Sequence, residues 1–394
     1  MPALLVQQLD NMLQKLCPNG VQYSEIGTIA EIGTGSSNGN EADENGEYPF
    51  FVRSQTVKAK NHYEYDEEAI IIPGEGGIGD IFHYVNGKYA LHQRVYRIHF
   101  TSPLVDVRFA YYYMSANFKA FIMRKAVSAT VTSIRKPMIE QFRIPIPPLA
   151  VQQEIVRILD SFTELTAELT AELTAELTAR RKQYEHYRDE LLTFGDDVPS
   201  LPISQIATFK YGYTDKAQDA GDARFIRITD ITDDGCLNPL DAKYINMTEE
   251  SKKYLLTKGD LLLARTGASY GKTLYYPDNS QAVYASFLIK IKPDNTKILN
   301  RFYWHFSKSS LYWTQAEKLV SKGGQQQFNT GAIGRVLIPV PSLDEQRRIV
   351  SILDRFDAIC NDLASGLPAE IAARQKQYEY YRDKLLTFKE LETN

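Results

Sequence analysis

Apolar residues recur through the middle of the chain at Ile155, Ile158, Leu159, Phe162, Leu165, Leu169, Leu173 and Leu177. Steps of three and four place these side chains on one face, which predicts a long amphipathic helix. It starts after Pro145-Ile146-Pro147-Pro148, because proline lacks the amide that a helix interior needs and holds its predecessor extended. Nearly the same text returns 194 residues later. Ile144 to Phe162 reads IPIPPLAVQQEIVRILDSF and Ile338 to Phe356 reads IPVPSLDEQRRIVSILDRF, identical at 11 of 19 positions. At the same offset KQYEHYRDELLTF, ending at Phe194, matches KQYEYYRDKLLTF, ending at Phe388, at 11 of 13 positions. The second copy departs at Ser365-Gly366-Leu367-Pro368, where proline predicts a kink or restart and Ser365 is placed to cap it. Two long helices with matching stripes, distant in sequence, are expected to bury those stripes against each other as an antiparallel coiled coil about a pseudo-twofold.

Between the helices lie two globular segments, about 21–143 and 200–337. Ala69-Ile72, Asp260-Ala264 and Ser286-Ile291 have strand character and are separated by glycine-rich turns, which predicts α+β domains of mixed helix and strand. IGTIAEIGTG (26–35) resembles ISQIATFKYG (203–212), and a basic, aromatic helix is expected in each segment, at Val107–Val127 and Arg301–Val320. The amphipathic stretch Leu4 to Leu16 is expected to complete the helical region. The expected plan is therefore circular: 1–20 helical, 21–143 globular, 144–199 helical, 200–337 globular, 338–394 helical. Thr166 to Leu177 holds three tandem TAEL units, with Thr166, Leu169, Leu173 and Leu177 as the spacer positions. Four residues lengthen a helix by about 6 Å and turn it by about 40°, so the unit is a spacer that changes in quanta.

Charge changes the picture more than composition does. Of 394 residues 43% are hydrophobic and the net charge is -4, so positive charge for binding a polyanion must be segregated. It is: segment 25–80 has 3 Lys/Arg against 12 Asp/Glu, whereas 91–143 has 9 against 2 and 290–337 has 8 against 2. Each globule thus ends in a basic stretch, the pattern of two contacts on nucleic acid. Cys17, Cys236 and Cys360 are too far apart for a disulfide framework or a cysteine zinc site. No apolar run is long enough to span a bilayer and no export signal opens the chain, so a cytoplasmic protein is expected.

Catalytic motifs fail one by one. Gly74-Glu75-Gly76-Gly77-Ile78-Gly79 matches a dinucleotide fingerprint, yet Pro73 intervenes and a strand, not a helix, is expected to follow. Gly267 to Thr273 has three residues between its glycines where a phosphate-binding loop has four. No hydrolase elbow or metalloprotease histidine spacing occurs. Two polar loops are better candidates for contact. Ser128 to Lys136 follows the first basic helix, and Lys322 to Asn329 holds the same place in the second globule. Their hydroxyls, amides and cations are the groups that reach phosphates and base edges.

The duplicated IPIPPLAVQQEIVRILD and IPVPSLDEQRRIVSILD blocks, the KQYEHYRDELLTF tails and GDLLLARTGASYGKT (259–273) together resemble the specificity subunit of a type I restriction–modification system. The TAEL units resemble its EcoR124-type subgroup. The resemblance implies two target recognition domains, each reading one half of a split double-stranded DNA site. The helices would dock two methyltransferase subunits, and restriction/translocase subunits would join them in a bacterial cytoplasm. S-adenosylmethionine, ATP and Mg would belong to those partners, leaving this chain without catalysis or cofactor. DNA-contacting residues expected on this basis are Gly74, Gly76, Gly77, Arg94, Thr130, Thr132, Ser133, Arg135 and Lys136 in the first domain. In the second they are Arg265, Thr266, Lys272, Lys322, Gln325, Gln326 and Gln327. The competing reading is a coiled-coil scaffold carrying two domains for other ligands.

Overall fold

A computed structural model describes residues 2–125, 133–321, 326–361 and 366–392. The chain divides into two units. One comprises Met1–Thr170 with Ala373–Asn394, the other Ala171–Ala372. Both are α+β, as expected.

The first unit holds a six-stranded sheet in the order Ala30–Thr34, Val95–Phe100, Tyr65–Pro73, His83–Leu91, Tyr48–Phe51, Lys58–Lys60. Neighbours are antiparallel except Tyr48–Phe51, which runs parallel to His83–Leu91. Ile70, Ile72 and Ile98 bury one face of the sheet against Phe118 and Ile122 of the helix Val107–Lys125. The second unit has a four-stranded antiparallel sheet, Ala207–Tyr211, Leu288–Pro293, Leu261–Ala264, Thr273–Tyr275. Its strands repeat the order and pairing of the first four strands in the other unit. A separate three-stranded sheet, Tyr244–Ile245, Ala223–Ile226, Ala282–Tyr284, repeats the pairing of Lys58–Lys60, Tyr48–Phe51 and the end of His83–Leu91, antiparallel on one side of its middle strand and parallel on the other. The helix expected over Arg301–Val320 is two helices, Asn300–Phe306 and Ser310–Leu319. Ser309 breaks the run by accepting the amide of Tyr312 at 3.2 Å, a cap that starts the second helix.

The long helix is unbroken from Leu149 to Leu191, TAEL units included. Within the first unit its Phe162 meets Tyr381 and its Thr163 hydroxyl lies 3.1 Å from Tyr378 of the helix Leu367–Leu385. Within the second unit Arg181 lies 3.5 Å from Asn361, and Tyr184 and Tyr187 meet Phe356 of the helix Leu343–Asn361. Numbers rise on one helix as they fall on the other, so both pairings are antiparallel. The second copy restarts as expected, with Pro368 in the first turn of Leu367–Leu385. Ser365 lies outside the described residues. One stripe position fails: Leu165 is 53% exposed, while Thr166 is half-buried. At 100° per residue Leu165 falls roughly 70° off the line through Ile155, Phe162 and Leu173, and Thr166 falls nearer to it. Among the described residues no helix is long and apolar enough to cross a membrane.

Candidate nucleic-acid interface

Each globule is fastened to its helix by the same polar bonds. Fully buried Gln152 donates to the carbonyls of Leu104 and Pro147, both at 2.7 Å, and accepts from the Asp106 amide at 2.8 Å. Fully buried Gln346, its repeat partner, donates to Lys297 and Pro341 at 2.8 and 2.9 Å and accepts from the Leu299 amide at 2.9 Å. Arg108 binds Asp160 at 2.8 Å, and Arg301 binds Asp354 at 2.7 Å. In the second unit His305 joins this group, with its Nε2 2.7 Å from Asp354 and its Nδ1 3.0 Å from the Tyr184 hydroxyl. Burial pushes His305 down to about 4 and outweighs the Asp354 carboxylate, which pulls the other way. At neutral pH the ring is uncharged. Burial works to raise Asp354, but its bonds to His305 and Arg301 hold it below its ordinary value. Gln152 with Gln346 and Asp160 with Asp354 stood in the repeat text as identical pairs. Sequence reasoning passed over them because it looked for exposed cations and hydroxyls.

On this base the sheets present their turns. In the first unit the strand Tyr65–Pro73 runs into the glycine loop, where Gly76 and Gly77 take φ of +72° and +51°, values that side chains with a Cβ rarely adopt. Gly74 donates its amide to Arg94 at 2.9 Å and accepts from Ile134 at 2.7 Å. One backbone therefore brings together three expected elements: the glycine loop, Arg94 and the Ser133-Ile134-Arg135 segment. Arg94 Nη1 lies 2.8 Å from Glu75, which also receives Arg53 at 3.1 Å. The Arg94 bond, helped by Arg53, lowers the Glu75 carboxyl below its usual range. Burial and the same two cations lower His92, whose Nδ1 accepts the Arg94 amide at 3.0 Å. Arg135 and Lys136 are exposed beside the loop, with Lys136 3.8 Å from Glu140. Thr130 and Thr132 lie outside the described residues.

In the second unit Arg265 follows the strand Leu261–Ala264. Its amide donates to Phe287 at 3.1 Å and its carbonyl accepts from Phe328 at 2.8 Å. Buried Thr266 bridges Gln327, and the Gly267 amide reaches the Gln326 carbonyl at 3.3 Å. The Arg265 guanidinium sits between two rings, 5.2 Å from the centre of Tyr211 and 5.6 Å from that of Phe287. Those rings are 42% and 51% exposed, and charge counting could not have found them. Lys272 does not join this group. It pairs with Asp233 and lines a cavity of about 200 Å³ with Arg181, Tyr184 and Lys308. Lys322 and Gln325 lie outside the described residues. Tyr112, Tyr303 and Trp304 are buried and pack the core. Among the described residues no cluster of three or more His, Cys, Asp or Glu is placed to hold a metal.

The spacer positions Thr166, Leu169, Leu173 and Leu177 are all half-buried on the long helix, and Leu177 packs against the core of the second unit.

The two turn clusters can offer a polyanion fixed guanidinium, amide and hydroxyl donors. Comparison with known proteins agrees in kind. The family model for the type I restriction modification DNA specificity domain matches the chain twice, over residues 18–179 and 196–373. A type I restriction enzyme specificity subunit of Haemophilus influenzae is 33% identical over 360 residues, 87% of this chain and 89% of that protein. The EcoR124I/EcoR124II specificity subunit of Escherichia coli is 34% identical over 285 residues, 64% of this chain and 65% of that protein. A solved structure of a type I restriction–modification system, concerned with complex assembly and conformational transition, shares the fold. Its TM-score is 0.65 at 14% identity, over 94% of this chain and 98% of that one.

Proposed function

This chain belongs to the type I restriction–modification DNA specificity family, and from that premise we propose that it selects a bipartite, asymmetric DNA site for a type I enzyme. Residues 21–143 read one half-site and 200–337 the other. The observation that carries this is the recurrence, in both units, of a basic and polar turn cluster at the same end of an equivalent sheet.

Phosphate contacts from exposed cations such as Arg135 and Lys136 position each globule, and groups held by the turns read base edges. Residues 1–20, 144–199 and 338–394 form the helical frame. Leu165, Tyr187, Ile359 and Tyr380 leave apolar surface on its helices, which suits docking of two methyltransferase subunits and, through them, restriction subunits. The chain itself carries out no chemistry. S-adenosylmethionine, ATP and Mg serve the partners, and the complex works in the bacterial cytoplasm. The TAEL units favour the EcoR124-type subgroup and, in this reading, set the count of unread base pairs. One unit adds about 6 Å, near two base-pair rises, but its ~40° turn is near one base-pair twist. Rotation decides which face of the duplex is met, so one unit corresponds to one base pair.

The test is co-expression with a methyltransferase partner in cells lacking other adenine methylation, followed by methylation-aware sequencing. Adenine methylation at one split motif is expected. A contiguous motif, or none, overturns the reading.

A further inference from the structure

The two turn clusters superimpose in logic more closely than their sequences suggest. Register pairs Pro73 with Val95 in one sheet and Ala264 with Leu288 in the other. One step beyond, Gly74 faces Arg94 and Arg265 faces Phe287. Both pairs are closed by the same amide bond, at 2.9 and 3.1 Å. A third segment then donates to the first member of each pair, Ile134 to Gly74 at 2.7 Å and Phe328 to Arg265 at 2.8 Å. Gly74 thus occupies the place of Arg265, and Arg94 the place of Phe287. Directly opposed residues in an antiparallel pair project from the same face. Each unit therefore sets one guanidinium over the same spot, supplied from opposite sides of the same cross-strand pair.

Both guanidiniums are oriented, and each keeps one two-nitrogen edge open among the described residues. Arg265 spends Nε on the Ser286 carbonyl at 3.1 Å and is flanked by Tyr211 and Phe287, leaving Nη1 and Nη2. Arg94 spends Nη1 on Glu75 and is 55% exposed, leaving Nε and Nη2. A phosphate anchor needs only positive charge, and a carboxylate 2.8 Å from Arg94 opposes a phosphate there. Fixed direction is what base readout needs, and paired donors from one guanidinium match O6 and N7 on the major-groove edge of guanine.

We propose that Arg94 and Arg265 are equivalent specificity-determining residues, each reading one guanine, one in each half of the DNA site. This rests on the functional reading above and adds the base and the residue.

The experiment compares methylomes of the assembled wild-type complex with those of Arg94→Lys, Arg265→Lys, Arg94→Ala and Arg265→Ala. Lysine keeps the charge and loses the paired donors. Each lysine variant is expected to lose roughly ten- to hundredfold discrimination at a single G·C position of one half-site, a different half for each, with the other half unchanged. The alanine variants should relax the same positions, and where alanine compromises folding the lysine variant decides. Lysine variants with an unaltered motif, or weakening that is uniform across all positions, overturn the proposal in favour of phosphate contact. A wild-type motif with a half lacking G·C also overturns it while leaving the functional reading intact. Absence of any split wild-type motif brings down both.

Discussion

A buried glutamine that forms three hydrogen bonds is costly to replace, because its partners lose theirs without gaining water. For Gln346→Leu those partners are the Lys297 and Pro341 carbonyls and the Leu299 amide. We expect a destabilisation of roughly 2–4 kcal/mol, measured by urea unfolding of the full chain, and a similar value for Gln152→Leu. His305 gives a pH-dependent counterpart. Its unfolded form takes up a proton near 6.5, whereas the folded form resists protonation until about 4. The unfolded state then binds more protons across that window, so stability is full above pH 6.5 and declines as pH falls toward 4. The decline attributable to this residue is roughly 3 kcal/mol. His305→Gln should flatten it, and an unchanged slope would show that other groups govern it.

At the scale of elements the TAEL stretch is the sharpest case. Deleting Thr174–Leu177 removes one unit from an unbroken helix. The motif is expected to lose one unread base pair while both half-sites stay the same, as sequencing of methylated DNA would show. Altered half-sites would contradict the ruler. The helices were legible because their stripes are local and printed twice, down to the restart at Pro368. The break at Ser307–Ser309 was not, since the flanking residues stay apolar and a single capping hydroxyl decides it. Strand order was not legible either, because pairing such as Ile70 with Ile98 is set by contacts distant in sequence. The contacts of Ile134 with Gly74 and of Phe328 with Arg265 were not legible, because they join loop and sheet across long sequence separations. The correspondence of Arg94 with Arg265 stayed hidden, because the matching backbone positions carry unlike residues.

For the whole molecule the frame matters more than either globule. Leu165 and Tyr380 are 53% and 61% exposed on the helices of the first unit, although both are large and apolar. Leu165→Lys combined with Tyr380→Lys is expected to weaken association with the methyltransferase subunit at least tenfold in a pull-down titration, with unchanged far-ultraviolet dichroism. Undiminished association would place the docking surface elsewhere. Gln152 and Gln346 bear on the history of such a frame. Every partner they engage is a main-chain amide or carbonyl. A grip of that kind is blind to side-chain identity, so the surfaces it carries can drift as long as the Arg108–Asp160 and Arg301–Asp354 pairs beside it are kept.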